Sequence, residues 1–185
     1  MAKLIFRYGA MGASKTANAL MVQFNYQERG MKAIILKPEI ECRDGKNVIR
    51  SRIGLSAECQ AVEEFIKSPD KLKDLSAIIV DEVQFLSKEM IDKLAEIVDN
   101  QDIPVICYGL KTNFRGELFK GSKRLLELAD IIEEIPTICW CGRKARFNAR
   151  IIDGKVVTDG PEVVMGGNES YISLCRKHYM EKKLS

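Results

Sequence analysis

The sequence predicts an α/β fold, a parallel sheet with helices on both faces, followed by a small C-terminal unit of different texture. Three observations carry that expectation. Short β-branched apolar runs alternate with amphipathic stretches through most of the chain. The first such run ends at a glycine-bearing loop that leads into a helical pattern. Beyond Pro136 the pattern changes to short alternating segments that carry two close groups of cysteine and histidine.

Each element follows from its local pattern. "KLIFRY" (residues 3–8) is an apolar run ending at Gly9, hence a strand. In "KTANALMVQFNYQERG", Ala19, Leu20, Gln23, Phe24 and Gln27 recur three and four apart, which predicts a helix closed by Gly30. "KAIILKP", "AIIVDE" (77–82) and "IPVICYG" (103–109) are three more strands, and their near-continuous apolar character predicts burial on both faces. "KEMIDKLAEIVDNQ" is an amphipathic helix between the last two. Near the C-terminus, "ARFNARII" and "KVVTDG" flank Asp153-Gly154 and predict a hairpin. A boundary near Ile138 divides a first domain, 1–138, from a second, 139–185.

Composition bounds what such a chain does. At 185 residues it is long enough for one well-buried core and a small appendage. No apolar run approaches the ~18 residues of a membrane span and no charged-then-apolar leader is visible. A cytoplasmic protein with no membrane partner is therefore expected. With 29 basic and 26 acidic residues the formal charge is +3, so charge gives no argument for nucleic acid, which is not expected as a partner. In a reducing compartment the six cysteines are expected as metal ligands or buried thiols.

Residues 9–16, "GAMGASKT", follow the phosphate-binding pattern G-x-x-x-x-G-K-[ST], except that Ser14 stands in place of the second glycine. Such a loop brings phosphate to a helix N-terminus, where free N–H groups and the helix dipole meet its oxygens. Gly9, Ala10, Met11, Gly12, Ala13 and Ser14 would wrap the phosphates of a nucleotide. Lys15 would meet the terminal phosphates and the Thr16 hydroxyl a magnesium ion. The expectation is a P-loop NTPase-like sheet, with a loop weakened about tenfold if Ser14 is held at positive φ. "AIIVDEVQF" ends its strand in two carboxylates, at the edge where open α/β sheets bind ligands. Asp81 can hold the magnesium hydration shell and Glu82 can take a proton from an attacking hydroxyl, while Val83 and Gln84 continue the same nucleotide-side segment.

The C-terminal unit carries "CWCG" and "CRKH". Cys139, Cys141, Cys175 and His178 form a structural zinc set of three thiolates and one imidazole, and they staple a unit too small for a large core. Cys42, Cys59 and Cys107 belong to no such motif and are expected as core or loop thiols.

The loop with its Met11, "DEVQFL", "YGLKTNFRGELF", "TICWCGRKA" and "GGNESYISLCRKHY", in this order, closely resemble the zinc-containing (type II) thymidine kinases, particularly the bacterial ones. The resemblance covers essentially the whole chain. It implies transfer of the ATP γ-phosphate to the 5′-hydroxyl of thymidine, in salvage synthesis of thymidine monophosphate for DNA synthesis. It also implies a zinc-bearing lasso domain over the nucleoside, a homotetramer, and feedback inhibition by thymidine triphosphate. Carried over by position, Lys15 and Thr16 match the phosphate and magnesium residues, Glu82 the general base and Asp81 the metal-associated aspartate. Phe85 and Phe114 match apolar groups near the thymine, with Met11 beside them. Val163, Val164, Met165, Gly166, Gly167 and Tyr171 match the lasso whose backbone reads the base edge. Arg43 and Arg52 resemble arginines that approach the phosphates, and Glu41 stands where aspartate is usual.

Two other readings stand beside the kinase. One is a nucleotide-binding remnant with weak or no turnover because of Ser14. The other is a P-loop protein whose zinc tail binds nucleic acid, although "DGPEVVMGGNES" fits a nucleoside loop better.

Overall fold

Strand β1 (Leu4–Tyr8) and helix α1 (Lys15–Glu28) are joined by the glycine-bearing loop, and β2 (Ala33–Lys37) leads into an antiparallel arm of β3 (Val48–Arg50) and β4 (Ser56–Glu58). β5 (Gln60–Ala61), α2 (Val62–Phe65), β6 (Ala77–Val80), α3 (Lys88–Gln101), β7 (Val105–Gly109), α4 (Lys120–Leu128) and β8 (Ile131–Glu134) follow. The C-terminal unit comprises β9 (Thr137–Ile138), β10 (Lys144–Ala145), β11 (Phe147–Ile152), β12 (Lys155–Val157), β13 (Tyr171–Leu174) and α5 (Arg176–Met180). The computed structural model describes residues 1–162 and 171–185. The expected lasso residues Val163, Val164, Met165, Gly166 and Gly167 lie outside the described residues.

Six strands form one parallel sheet in the order β5-β2-β6-β7-β1-β8. Every residue of β6 and β7 is buried, as apolar runs without alternation require. On one face α1 packs Ala19 and Leu20 against Ile35, Ile79, Ile106 and Tyr108. On the other, Ile91, Leu94 and Val98 of α3 and Leu125 of α4 cover Phe6, Ile78, Val80 and Cys107. Each such fully buried side chain contributes about 1.5–3 kcal/mol of transfer free energy. Ser87 caps α3 by accepting a hydrogen bond from the Met90 N–H.

The helix expected from the three-and-four spacing is α1, and the sheet selects which of its residues are covered. The arc facing the sheet runs through Lys15, Ala19, Val22 and Tyr26, which places Phe24 on the opposite side, 56% exposed. Gln23 keeps its inward position by donating to the Ala33 carbonyl. The expected hairpin forms between β11 and β12, with Asp153 and Gly154 both at positive φ (49° and 72°). β9 ends at Ile138 and pairs with β10, so hydrogen bonds of the C-terminal unit begin at Thr137. That unit has a small core of Cys139, Ala145, Ala149, Leu174 and Cys175. Among the described residues no helix is long and apolar enough to cross a membrane.

Candidate active site

The carboxyl ends of β1, β2, β6 and β7 deliver their following loops to one edge of the sheet, around a cavity of about 510 Å³. The β1 loop supplies residues 9–16, which carry the phosphate-loop pattern. Lys15 is buried, and its Nζ donates to the carbonyls of Gly9 (3.1 Å) and Ala10 (3.0 Å). Burial lowers the pKa of its ammonium group, opposed by the charges of Glu82 and Asp81. Ala13 is buried with its N–H on the Ala10 carbonyl, and the Gly9 N–H donates to Gly109 at the end of β7. Met11, Gly12 and Ser14 face the cavity. Ser14 sits in the left-handed region, φ 56° and ψ 30°, and its side chain makes no capping bond to α1.

Behind the loop, the Thr16 hydroxyl donates to Asp81 Oδ2 at 2.7 Å. Burial first, and the neighbouring Glu82 charge second, push the Asp81 carboxyl up to about 7. This hydroxyl and carboxylate, beside a phosphate loop, fit a hydrated magnesium ion.

Glu82 is also held in the left-handed region, φ 54° and ψ 35°, with its N–H donating to Asp81 Oδ1 at 2.9 Å. Its carboxylate is bracketed. Arg43 reaches Oε1 at 3.0 Å and Gln84 donates to Oε2 at 2.5 Å. Arg43 is in turn fixed by Glu41 at 2.6–3.0 Å, which raises the pKa of the guanidinium. Burial acts to raise the Glu41 carboxyl, but the hydrogen bonds and charge of Arg43 overcome it and hold the group below its ordinary value.

The remaining walls come from both units. Phe85, Leu110 and Phe119 form an apolar side, with Phe85 and Phe119 packed edge to face at 6.0 Å. Tyr171 and Asn148 close it from β13 and β11, and Arg52 and Ile53 from the turn of the arm. Phe114 is set back from the described wall, with the Arg150 guanidinium 3.8 Å above its ring. Val83 is fully buried in the core beneath the sheet edge and does not line the cavity. Asn148 and Arg150 went unnoticed in the sequence. In "ARFNARII" they alternate with Ala149 and Ile151 and read as a solvent-facing side, yet both are buried. Asn148 accepts from the Met11 N–H at 2.8 Å, and Arg150 donates to the Tyr171 hydroxyl.

The four sulfur and nitrogen candidates converge as their spacing requires. Cys139 and Cys141 lie on the turn between β9 and β10, Cys175 caps α5, and His178 is in its first turn. One donor atom from each lies within 4.8 Å of all the others, with Cys139 Sγ 3.5 Å from His178 Nδ1 and Cys141 Sγ 4.0 Å from Cys175 Sγ. Zinc–sulfur bonds of about 2.3 Å imply tetrahedral edges of about 3.8 Å, so this donor set is compatible with zinc. Trp140 stacks on the His178 ring at 4.2 Å and fixes its plane.

Comparison with known proteins agrees with this arrangement. Residues 2–179 match the family described as Thymidine kinase. The chain is 47% identical to a thymidine kinase of Shewanella oneidensis, the alignment covering 98% of each protein. It is 48% identical to one from Pasteurella multocida, again over 98% of each, and 45% identical to one from Salmonella typhimurium over 98% of this chain and 92% of the relative. With the phosphate-loop pattern at the sheet edge, a Cys/His cluster and full-length similarity all present, the chain belongs to the thymidine kinase family.

Proposed function

We propose that this protein transfers the γ-phosphate of ATP to the 5′-hydroxyl of thymidine, forming thymidine monophosphate for DNA synthesis by salvage in the cytoplasm. The observation that carries the reading is that Lys15, Thr16 and Glu82 border one cavity whose far side is apolar and aromatic, with Asp81 buried behind them on the Thr16 hydroxyl. The loop backbone and Lys15 hold the phosphates, with Arg43 and Arg52 near them. Thr16 and Asp81 would hold magnesium, which supplies neutralisation of charge on the transferring phosphoryl group. Glu82 accepts the proton of the attacking hydroxyl. Phe85 and Phe119 offer an apolar wall to the base, and the backbone of residues 163–167 with Tyr171 reads its edge. Cys139, Cys141, Cys175 and His178 hold a structural zinc that fixes the β9–β10 turn to α5. The 47% identity to a relative of the same length supports a shared regulation, with thymidine triphosphate as feedback inhibitor of a homotetramer. Neither nucleic acid nor a membrane is a partner in this reading.

The test is formation of thymidine monophosphate from ATP, magnesium and thymidine by the natural chain and by Glu82→Gln. The variant is expected to lose ~10²–10⁴ in kcat with ATP affinity within a few-fold. An inactive natural chain that still binds ATP would favour the nucleotide-binding remnant.

A further inference from the structure

Gln84 is buried, yet its carboxamide bridges two elements that meet at the cavity. Its Oε1 accepts from the Leu110 N–H just beyond β7 at 3.0 Å, and its Nε2 donates to Glu82 Oε2. The orientation of the amide is dictated by chemistry. Leu110 presents a donor, so only the oxygen can face it, and the NH₂ group is left for Glu82. The approach depends on Gly109. A Cβ at that position would lie 2.5 Å from Gln84 Oε1 and 2.8 Å from Val83 Cγ2. Arg43, on the other oxygen of Glu82, is 41% exposed and rests on a loop, whereas Gln84 is anchored to the central sheet.

We infer that Gln84 is a positioning residue for Glu82, holding its carboxylate in the rotamer that presents it to the cavity. A residue at positive φ directs its side chain along a path that ordinary backbone does not, and a second fixed contact is what makes that path unique. The inference rests on the reading of Glu82 as proton acceptor and deepens it. Gln84 acts through Glu82 and touches no reacting atom.

The experiment compares Gln84→Met, Gln84→Glu, Glu82→Gln and the double variant Glu82→Gln/Gln84→Met in the full chain, at saturating ATP and magnesium. Gln84→Met removes both hydrogen bonds at similar volume. It is expected to lower kcat by about 10–100-fold while both KM values, and the thymidine Kd from calorimetry, stay within about threefold. Gln84→Glu retains the acceptor for Leu110 but not the donor for Glu82, and should lose as much; it carries the test alone if Gln84→Met does not fold. In the Glu82→Gln background the Met substitution should cost less than about threefold, because nothing remains to be positioned. A raised thymidine KM with intact kcat in Gln84→Met would make Gln84 a substrate contact, and full kcat in Gln84→Glu would make the Leu110 bond its whole role. Either result overturns the inference. Full turnover in Glu82→Gln is a different failure, that of the proton acceptor itself.

Discussion

Replacing Ser14 by glycine probes the one position where the phosphate loop departs from its usual pattern. At φ 56° the Ser14 Cβ is pressed toward its own carbonyl, at a cost of ~1–2 kcal/mol that glycine does not bear. No capping bond offsets it, so the substitution forfeits no helix cap. Glycine adds back about 0.5–1 kcal/mol of unfolded-chain entropy, which leaves a net gain in folding stability of roughly 0–1.5 kcal/mol. At about 2–4 °C per kcal/mol for a chain of this size, Tm should rise by no more than about 6 °C. Any share of the strain relieved in the nucleotide complex instead lowers the ATP KM, by up to about tenfold, with thymidine KM little changed. Ser14→Ala keeps the Cβ and the strain, and is the control that isolates the hydroxyl. The assay is steady-state kinetics at saturating thymidine beside thermal unfolding for the three proteins. If glycine leaves both Tm and ATP KM unchanged, or raises the KM, strain at Ser14 is not what this loop has to overcome.

Two further outcomes follow from the metal cluster and the arginine clamp. Purified protein should hold about one equivalent of zinc, and Cys175→Ser should release it and raise thymidine KM before it lowers the stability of the nucleotide-binding sheet, as followed by metal analysis and kinetics. The Glu41 carboxyl is held below its ordinary value of 4.5, so its contribution to stability is complete above that pH and is lost as pH falls through the lower folded value. Glu41→Gln should therefore be less stable than the natural chain at neutral pH, and the difference should shrink in acid, as read from Tm against pH.

The sheet was legible where burial was two-sided. β1, β2, β6 and β7 announce themselves as apolar runs because helices cover both of their faces. β5 and β8 are edge strands of two and four residues, paired on one side only, and "IIEE" carries too little apolar character to be read as a strand. The same division holds in the site. Lys15, Thr16, Asp81 and Glu82 lie in contiguous motifs whose chemistry is local. Gln84 falls within such a motif, but its partner Leu110 is 26 positions away, and nothing in "DEVQF" says which way the amide points. Asn148 and Arg150 were missed because strand alternation distinguishes one face from the other without saying that a second unit covers the polar one. Phe24 shares the three-and-four spacing of α1 yet is exposed, because that spacing marks a helix without saying which arc approaches the sheet.

The phosphate loop does not hold its shape alone. Met11 gives its N–H to Asn148 and takes the Ser173 hydroxyl on its carbonyl, and the Gly12 carbonyl takes the Thr137 hydroxyl. All three partners come from the C-terminal unit or its first strand. The cysteine-bearing appendage is therefore joined to the loop by hydrogen bonds as well as by the chain. A chain ended at residue 138 would leave the Met11 backbone without Asn148 and Ser173, so a change in the appendage reaches the loop directly through those bonds.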